Sequence, residues 1–151
     1  KDMTMRGYLA ERALGEGRYA EAMGIFAAMN ELSPGNALVL NNLAWAANQV
    51  KDAKALEYAE QAQRLAPDSP AILDTLGMIQ IDRGETDKGL ANLQRAVTLG
   101  PELAPLRLNL AKSYARLTRK EDARKELNTL LPKLKEGTPL HKEAIELLNS
   151  L

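Results

Sequence analysis

No cysteine occurs in this chain, so it holds no disulfide staple and no thiolate metal site, and it fits any redox compartment. Aromatic residues are nearly as scarce: one Trp, one Phe and four Tyr make up 4% of the sequence. The 45% hydrophobic content is therefore mainly Ala and Leu, which favours closely packed helices over a β-sandwich. An excess of one charge is missing too. Twenty basic and twenty acidic residues cancel, which argues against a general binder of nucleic acid or anionic membrane. No apolar run approaches the roughly 20 residues of a membrane span, and no signal-peptide pattern is visible. At 151 residues the chain is one domain or one array of repeats.

Repetition is what the chain has. Pro34, Pro67 and Pro101 fall 33 and 34 residues apart. Aligned on them, Leu9-Ala10, Leu43-Ala44, Leu76-Gly77 and Leu110-Ala111 come into register, each a large apolar residue followed by a small one. Further on, Ala22, Ala55, Gly89 and Ala123 are all small. Phe26, Ala59, Leu93 and Leu127 follow, then Met29, Ala62, Ala96 and Leu130. Where two helices cross closely, a side chain larger than Ala would force them apart, and larger residues fill the holes beside the crossing.

The stretch from Asp68 to Pro101 shows the unit most clearly. Ser69 suits an N-cap and Pro70 the first helical position, where its missing N–H costs nothing. Leu73, Leu76, Gly77 and Gln80 recur at helical spacing, Gly84 breaks the helix, and Thr86 with Asp87 starts the next. Leu90, Leu93, Ala96 and Val97 supply the apolar stripe of that second helix. A lone hairpin of this size cannot bury both faces and needs copies of itself beside it.

This pattern resembles the tetratricopeptide repeat, a helix–turn–helix unit of 34 residues. The resemblance covers nearly the whole chain. It implies an all-α, right-handed solenoid forming a single array over 1–151, with four helix–turn–helix repeats at about 3–35, 36–68, 69–102 and 103–135 and a C-terminal capping helix at about 138–150. Repeat two is expected to be one residue short in its inner turn, between Val50 and Asp52. The family's usual Trp is replaced by Arg6, Leu73 and Arg107, Tyr114 takes the aromatic position of repeat four, and Trp45 stands elsewhere. Pro132 should stop the last second helix early. Gly7, Gly24 and Gly89 each weaken a helix by roughly 1 kcal/mol relative to Ala, so packing must carry those helices. Thr138-Pro139 opens a ninth helix whose Leu140, Ala144, Ile145, Leu147, Leu148 and Leu151 make one apolar side to cover the last open face. The first repeat has no such cover, and Met3, Met5 and Tyr8 are available to pack upstream. The sequence therefore reads as the C-terminal part of a longer repeat protein.

No catalytic constellation emerges, and the sequence is read as a non-enzyme with no cofactor and no metal. His141 is a surface residue of the capping helix. Asp82, Glu85 and Asp87 match no EF-hand spacing and suit a helix start. Gly15-x-Gly17 belongs to an inter-helix turn with no preceding strand, not to a phosphate loop.

In tetratricopeptide repeats the first helices line a concave groove, and the resemblance implies which residues face it here. Glu11 comes from repeat one and Asn41, Trp45 and Asn48 from repeat two. Asp74, Met78 and Asp82 come from repeat three, and Leu108, Asn109, Lys112 and Arg116 from repeat four. Asn41, Trp45 and Asn48 stand at i, i+4 and i+7 on one helical face, suited to gripping an extended peptide. The competing reading makes Trp45 a plug between repeats two and three. The Lys and Asn clamp of chaperone-binding members is absent, because Gly7 and Glu11 stand at its first-repeat positions. From Ala104 onward ten basic residues face six acids, and Lys112 with Arg116 is expected to form a basic groove end with Arg119 or Lys120. The bland alternative is a solvated face with pairs such as Glu121–Lys125.

Asp74-Thr75-Leu76-Gly77, the Gly84 turn, Leu43-Ala44-Trp45 and Ala123-Arg124-Lys125-Glu126-Leu127 also resemble repeats in large lipoproteins of bacterial exosortase-associated exopolysaccharide systems. That resemblance implies a periplasmic scaffold. The function expected is non-catalytic protein–protein interaction, with a peptide or partner protein in the groove. The alternatives are a polysaccharide-binding module of an export machine, whose partner would be an anionic polysaccharide, and a structural spacer or self-association module. Nucleic acid and direct membrane insertion are not expected.

Overall fold

The computed structural model of the chain describes residues 2–151. Eight helices pair into four hairpins: α1 (Asp2–Gly15) with α2 (Tyr19–Leu32), α3 (Ala37–Gln49) with α4 (Ala55–Leu65), α5 (Pro70–Asp82) with α6 (Thr86–Leu99), and α7 (Ala104–Arg116) with α8 (Lys120–Leu130). A 3₁₀ turn (Leu131–Lys133) leads to α9 (Pro139–Ser150). There is no strand among the described residues. Each hairpin packs on the next, and the first helices α3, α5 and α7 lie side by side. The result is a right-handed solenoid with its first helices along the inner face.

Local chemistry sets the helix starts. The Asn36 side chain accepts from the Val39 N–H at 3.1 Å, the Ser69 hydroxyl from Ile72 at 3.4 Å, and Thr138 from His141 at 3.3 Å. Pro70 and Pro139 occupy first helical positions behind the last two caps. Pro132 does end α8: the chain tightens into the 3₁₀ turn, because the ring denies the helix a donor and crowds the preceding turn.

The inner turns share one device that the sequence reading missed in two of four cases. Gly17, Lys51, Gly84 and Thr118 all have positive φ, at 74°, 59°, 85° and 60°. In each hairpin the following N–H reaches back to a helix carbonyl: Arg18 to Ala13, Asp52 to Ala47, Glu85 to Gln80 and Arg119 to Tyr114, at 2.8 to 2.9 Å. This left-handed residue with its back-reaching bond is a Schellman ending. Lys51 stands in register with Gly17 and Gly84, so the residue missing from repeat two falls after Lys51, not between Val50 and Asp52. Helix α4 accordingly starts late, at Ala55, with the Asp52 carboxylate accepting from the Lys54 N–H at 2.8 Å.

The small positions lie at the helix crossings. Ala22, Ala55 and Ala123 are fully buried and Gly89 is buried, with Phe26, Ala59, Leu93 and Leu127 packed beside them. Helix α9 and the residue that follows it cover the last hairpin, with Leu140, Ala144, Leu147 and Leu148 of the helix and Leu151 beyond it against Leu108, Ala111, Leu127 and Leu130. Ile145 departs from that expectation and lines an outer cleft with His141 and Lys142. Arg107, in the family's Trp position, pairs with Glu126 of α8 at 2.6 Å, each side chain 19% exposed.

Candidate peptide-binding groove

The repeat register places the inner-face side chains in rows that run across α3, α5 and α7. One row is Asn41, Asp74 and Leu108; the next is Trp45, Met78 and Lys112; the last is Gln49, Asp82 and Arg116. Bonds between neighbouring first helices cross these rows. Asn48 Nδ2 donates to Asp82 Oδ2 at 2.8 Å, and Arg116 Nη2 donates to Asp82 Oδ1 at 2.7 Å. One carboxylate thus joins three successive repeats. Asn109 Nδ2 donates to both Asp74 oxygens, at 3.0 and 3.3 Å, and Ser113 Oγ lies 3.4 Å from Met78 Sδ.

The expected groove residues divide by exposure. Glu11, Asp82 and Arg116 are exposed, while Trp45, Asn48, Met78, Asn109 and Lys112 are half-buried. Asn41 and Asp74 are buried instead, and Leu108, at 2% exposure, belongs to the core under α9. Helix α5, with Asp74, packs between α3 and α7, and α9 covers Leu108. Asn41 Oδ1 is buried with no hydrogen-bond partner among the described residues. Burial pushes the Asp74 carboxyl up to about 6, and the Asn109 amide offsets part of that shift. Among the described residues, Trp45 joins none of the five apolar clusters.

The expected basic groove end is not a free cluster. Lys112 pairs with Glu143 of α9, Arg116 with Asp82, and Arg119 with Asp122 while its guanidinium lies 5.2 Å from the Tyr114 ring. Glu121 pairs with Arg124 rather than Lys125. Lys112 and Arg116 are taken up by acids of α9 and α5, which sequence spacing within α7 does not show, while Arg119 and Arg124 pair locally at i,i+3.

A cleft of about 580 Å³ opens where α3, α5 and α7 end, lined by Asn48, Gln49, Lys51, Asp82, Arg83 and Arg116. Lys51, Arg83 and Gln49 were missed by sequence reasoning. The signal for Lys51 was its register with Gly17 and Gly84, and Arg83 immediately precedes the Gly84 turn. Arg83 Nη2 donates to the Asp52 carbonyl at 2.8 Å, which ties repeat three to the inner turn of repeat two. Among the described residues no group of His, Asp and Glu side chains is placed to hold a metal ion, and no helix is long and apolar enough to cross a membrane.

Residues 80–145 match the family model described as tetratricopeptide repeat. Among solved structures, TTC0263, a thermophilic tetratricopeptide-repeat protein of Thermus thermophilus, aligns with a TM-score of 0.87 at 20% identity, over 99% of this chain and 82% of that one. MamA 41-end from Desulfovibrio magneticus RS-1 aligns at 0.68 and 19% identity, over 98% and 76%. The first such domain of Spaghetti (RPAP3), bound to the HSP90 peptide SRMEEVD, aligns at 0.66 and 18% identity, over 77% and 93%. No curated protein sequence matches significantly. At these identities the likeness is one of fold. The chain is a tetratricopeptide-repeat solenoid in fold, with the family's sequence signature matched over residues 80–145.

Proposed function

We propose that this chain is a non-catalytic scaffold that holds an extended segment of a partner protein along the inner face of its first helices. The observation that carries this reading is Trp45. Among the described residues the single Trp is half-buried yet outside every apolar cluster, with the half-buried Asn48 one turn away on the same helical face. An indole left out of the core offers a flat apolar contact, and the neighbouring Asn48 amide offers hydrogen bonds to a peptide backbone. Glu11, Met78, Asn109 and Lys112 extend the surface along the groove. The peptide-bound Spaghetti structure supports the mode, because its fold holds a peptide. The exosortase-type segments, Leu43-Ala44-Trp45 among them, carry the reading to a periplasmic scaffold for exopolysaccharide export, with anionic polysaccharide as the alternative ligand.

Trp45 emission tests the groove. Titration with a peptide library should shift it to the blue, Trp45→Ala should abolish that binding with helicity unchanged, and neutral oligosaccharides should leave the spectrum alone. Emission indifferent to every peptide reassigns Trp45 to packing and removes the groove's centre.

Self-association is the second reading, favoured by the outer face of α1. In register, Met5 matches Val39, Ile72 and Leu106, and Leu9 matches Leu43, Leu76 and Leu110. The later six residues are 1% to 7% exposed because a preceding helix covers them, whereas Met5 is 59% and Leu9 43% exposed. A second copy packing on this face would give a mass that rises with concentration in sedimentation equilibrium, and Leu9→Lys would return it to the monomer.

A further inference from the structure

The cleft at the ends of α3, α5 and α7 has an unbalanced lining. Lys51, Arg83 and Arg116 bring three cations against the single carboxylate of Asp82. That carboxylate is already engaged at both oxygens, by Asn48 and Arg116. At the helix ends nearby, the Ala47, Gln80 and Tyr114 carbonyls accept the back-reaching turn bonds. Arg83 spends one Nη on the Asp52 carbonyl, which fixes its guanidinium at the rim and leaves its other N–H groups for a further acceptor. Lys51 is held beside it by the left-handed turn. The volume of about 580 Å³ lies within the range of ligand sites.

We infer that this cleft binds the carboxylate side chains of an acidic peptide segment. The inference rests on the groove reading and names the chemistry of the partner. Planar guanidinium groups match carboxylates through paired N–H donors. Asn48 is one turn from Trp45 on α3, so a peptide lying against the indole continues into the cleft. A polysaccharide is the poorer fit, because the lining has no aromatic ring for a sugar face.

The experiment uses four probes: an eight-residue peptide of alternating Glu and Ala, its Gln counterpart, a uronate oligosaccharide and inorganic sulfate. Binding is read by NMR shifts of backbone amides and by titrated affinity at two salt concentrations. The Glu peptide should shift the amides around Lys51, Arg83 and Arg116, and its affinity should fall with salt. Arg83→Glu should weaken it by about tenfold or more. Lys51→Gly should weaken it about threefold while leaving the fold at least as stable, because glycine suits that turn. That variant separates lost binding from lost folding. Equal affinity for the Gln peptide overturns the inference and leaves the groove reading standing. Equal or tighter binding of the uronate, or binding of sulfate with neither peptide, overturns it in favour of a general anion site. If neither peptide shifts any inner-face amide, the groove reading falls with it.

Discussion

Gly77 and Gly89 occupy each other's space across the crossing of α5 and α6. A Cβ built at Gly77 would lie 2.8 Å from the Gly89 carbonyl oxygen, and one at Gly89 would lie 2.7 Å from the Gly77 carbonyl oxygen and 2.5 Å from Ile81 Cγ1. The nearest obstacles include backbone, which cannot swing away as a side chain can. Gly89→Ala should therefore destabilise the protein by about 1–3 kcal/mol despite alanine's better helix propensity. Gly24 is the contrast, with nothing within 4 Å of a built Cβ. Gly24→Ala should stabilise by roughly 0.5–1 kcal/mol. Denaturant melts of both variants check the opposite signs.

Lys51 and Thr118 hold the turn position that Gly17 and Gly84 hold elsewhere. A side chain with positive φ crowds its own backbone by roughly 1–2 kcal/mol. Lys51→Gly and Thr118→Gly should each raise stability by about 1 kcal/mol, a net value after glycine's extra unfolded freedom. Thermal melts should show two gains that add, because the sites lie in different hairpins.

Asp74 should give the protein a pH signature near 4 to 6. Burial raises its folded pKa from 3.8 to about 6, so in that window the folded state keeps a proton that the unfolded chain has lost. Its contribution is most favourable below about pH 4 and declines as pH rises through 6. Asp74→Asn should then stabilise above pH 6 by on the order of 2–3 kcal/mol, with the gain vanishing toward pH 4. A gain that stays flat across this range would show that Asp74 does not titrate as described.

Arg107 and Glu126 tie α7 to α8 at the register position where repeats two and three have Leu40 and Leu73. Glu126→Ala leaves a largely buried guanidinium without its partner and should cost about 1–3 kcal/mol. Replacing both, as Arg107→Leu with Glu126→Met, should recover most of that loss. Chemical denaturation of the single and double variants measures the coupling.

Asn41 keeps a buried amide oxygen without a partner among the described residues, at the position where repeat four has Leu108. Asn41→Leu should raise stability by about 1 kcal/mol or more by removing that orphan. Because Asn41 is buried, the same change should leave peptide binding in the groove unaltered. Thermal melts and peptide titration of the one variant read the two effects separately.

The helical units were legible because their signals are local. Ser69-Pro70, Thr138-Pro139, Gly84 and Pro132 each act within one turn of chain, and the small residues at Ala22, Ala55, Gly89 and Ala123 repeat at a fixed spacing. Lys51 and Thr118 were illegible as turn residues because neither is glycine, and only shared register with Gly17 and Gly84 exposes them. The ion pairs were misread for a different reason. Glu143 reaches Lys112 from another helix, and Asp82 reaches Arg116 across 34 residues of sequence.

Sequence alone determined the four hairpins, their stacking order and the covering helix α9, because apolar periodicity, caps and small-residue crossings are properties of one or two adjacent helices. Tertiary structure decided which inner-face residues remain accessible. It buried Asn41, Asp74 and Leu108, left Trp45 outside the core, and brought Lys51, Arg83 and Arg116 to one cleft. The side-by-side placement of α3, α5 and α7 sets those outcomes, and no single helix carries that geometry in its own pattern.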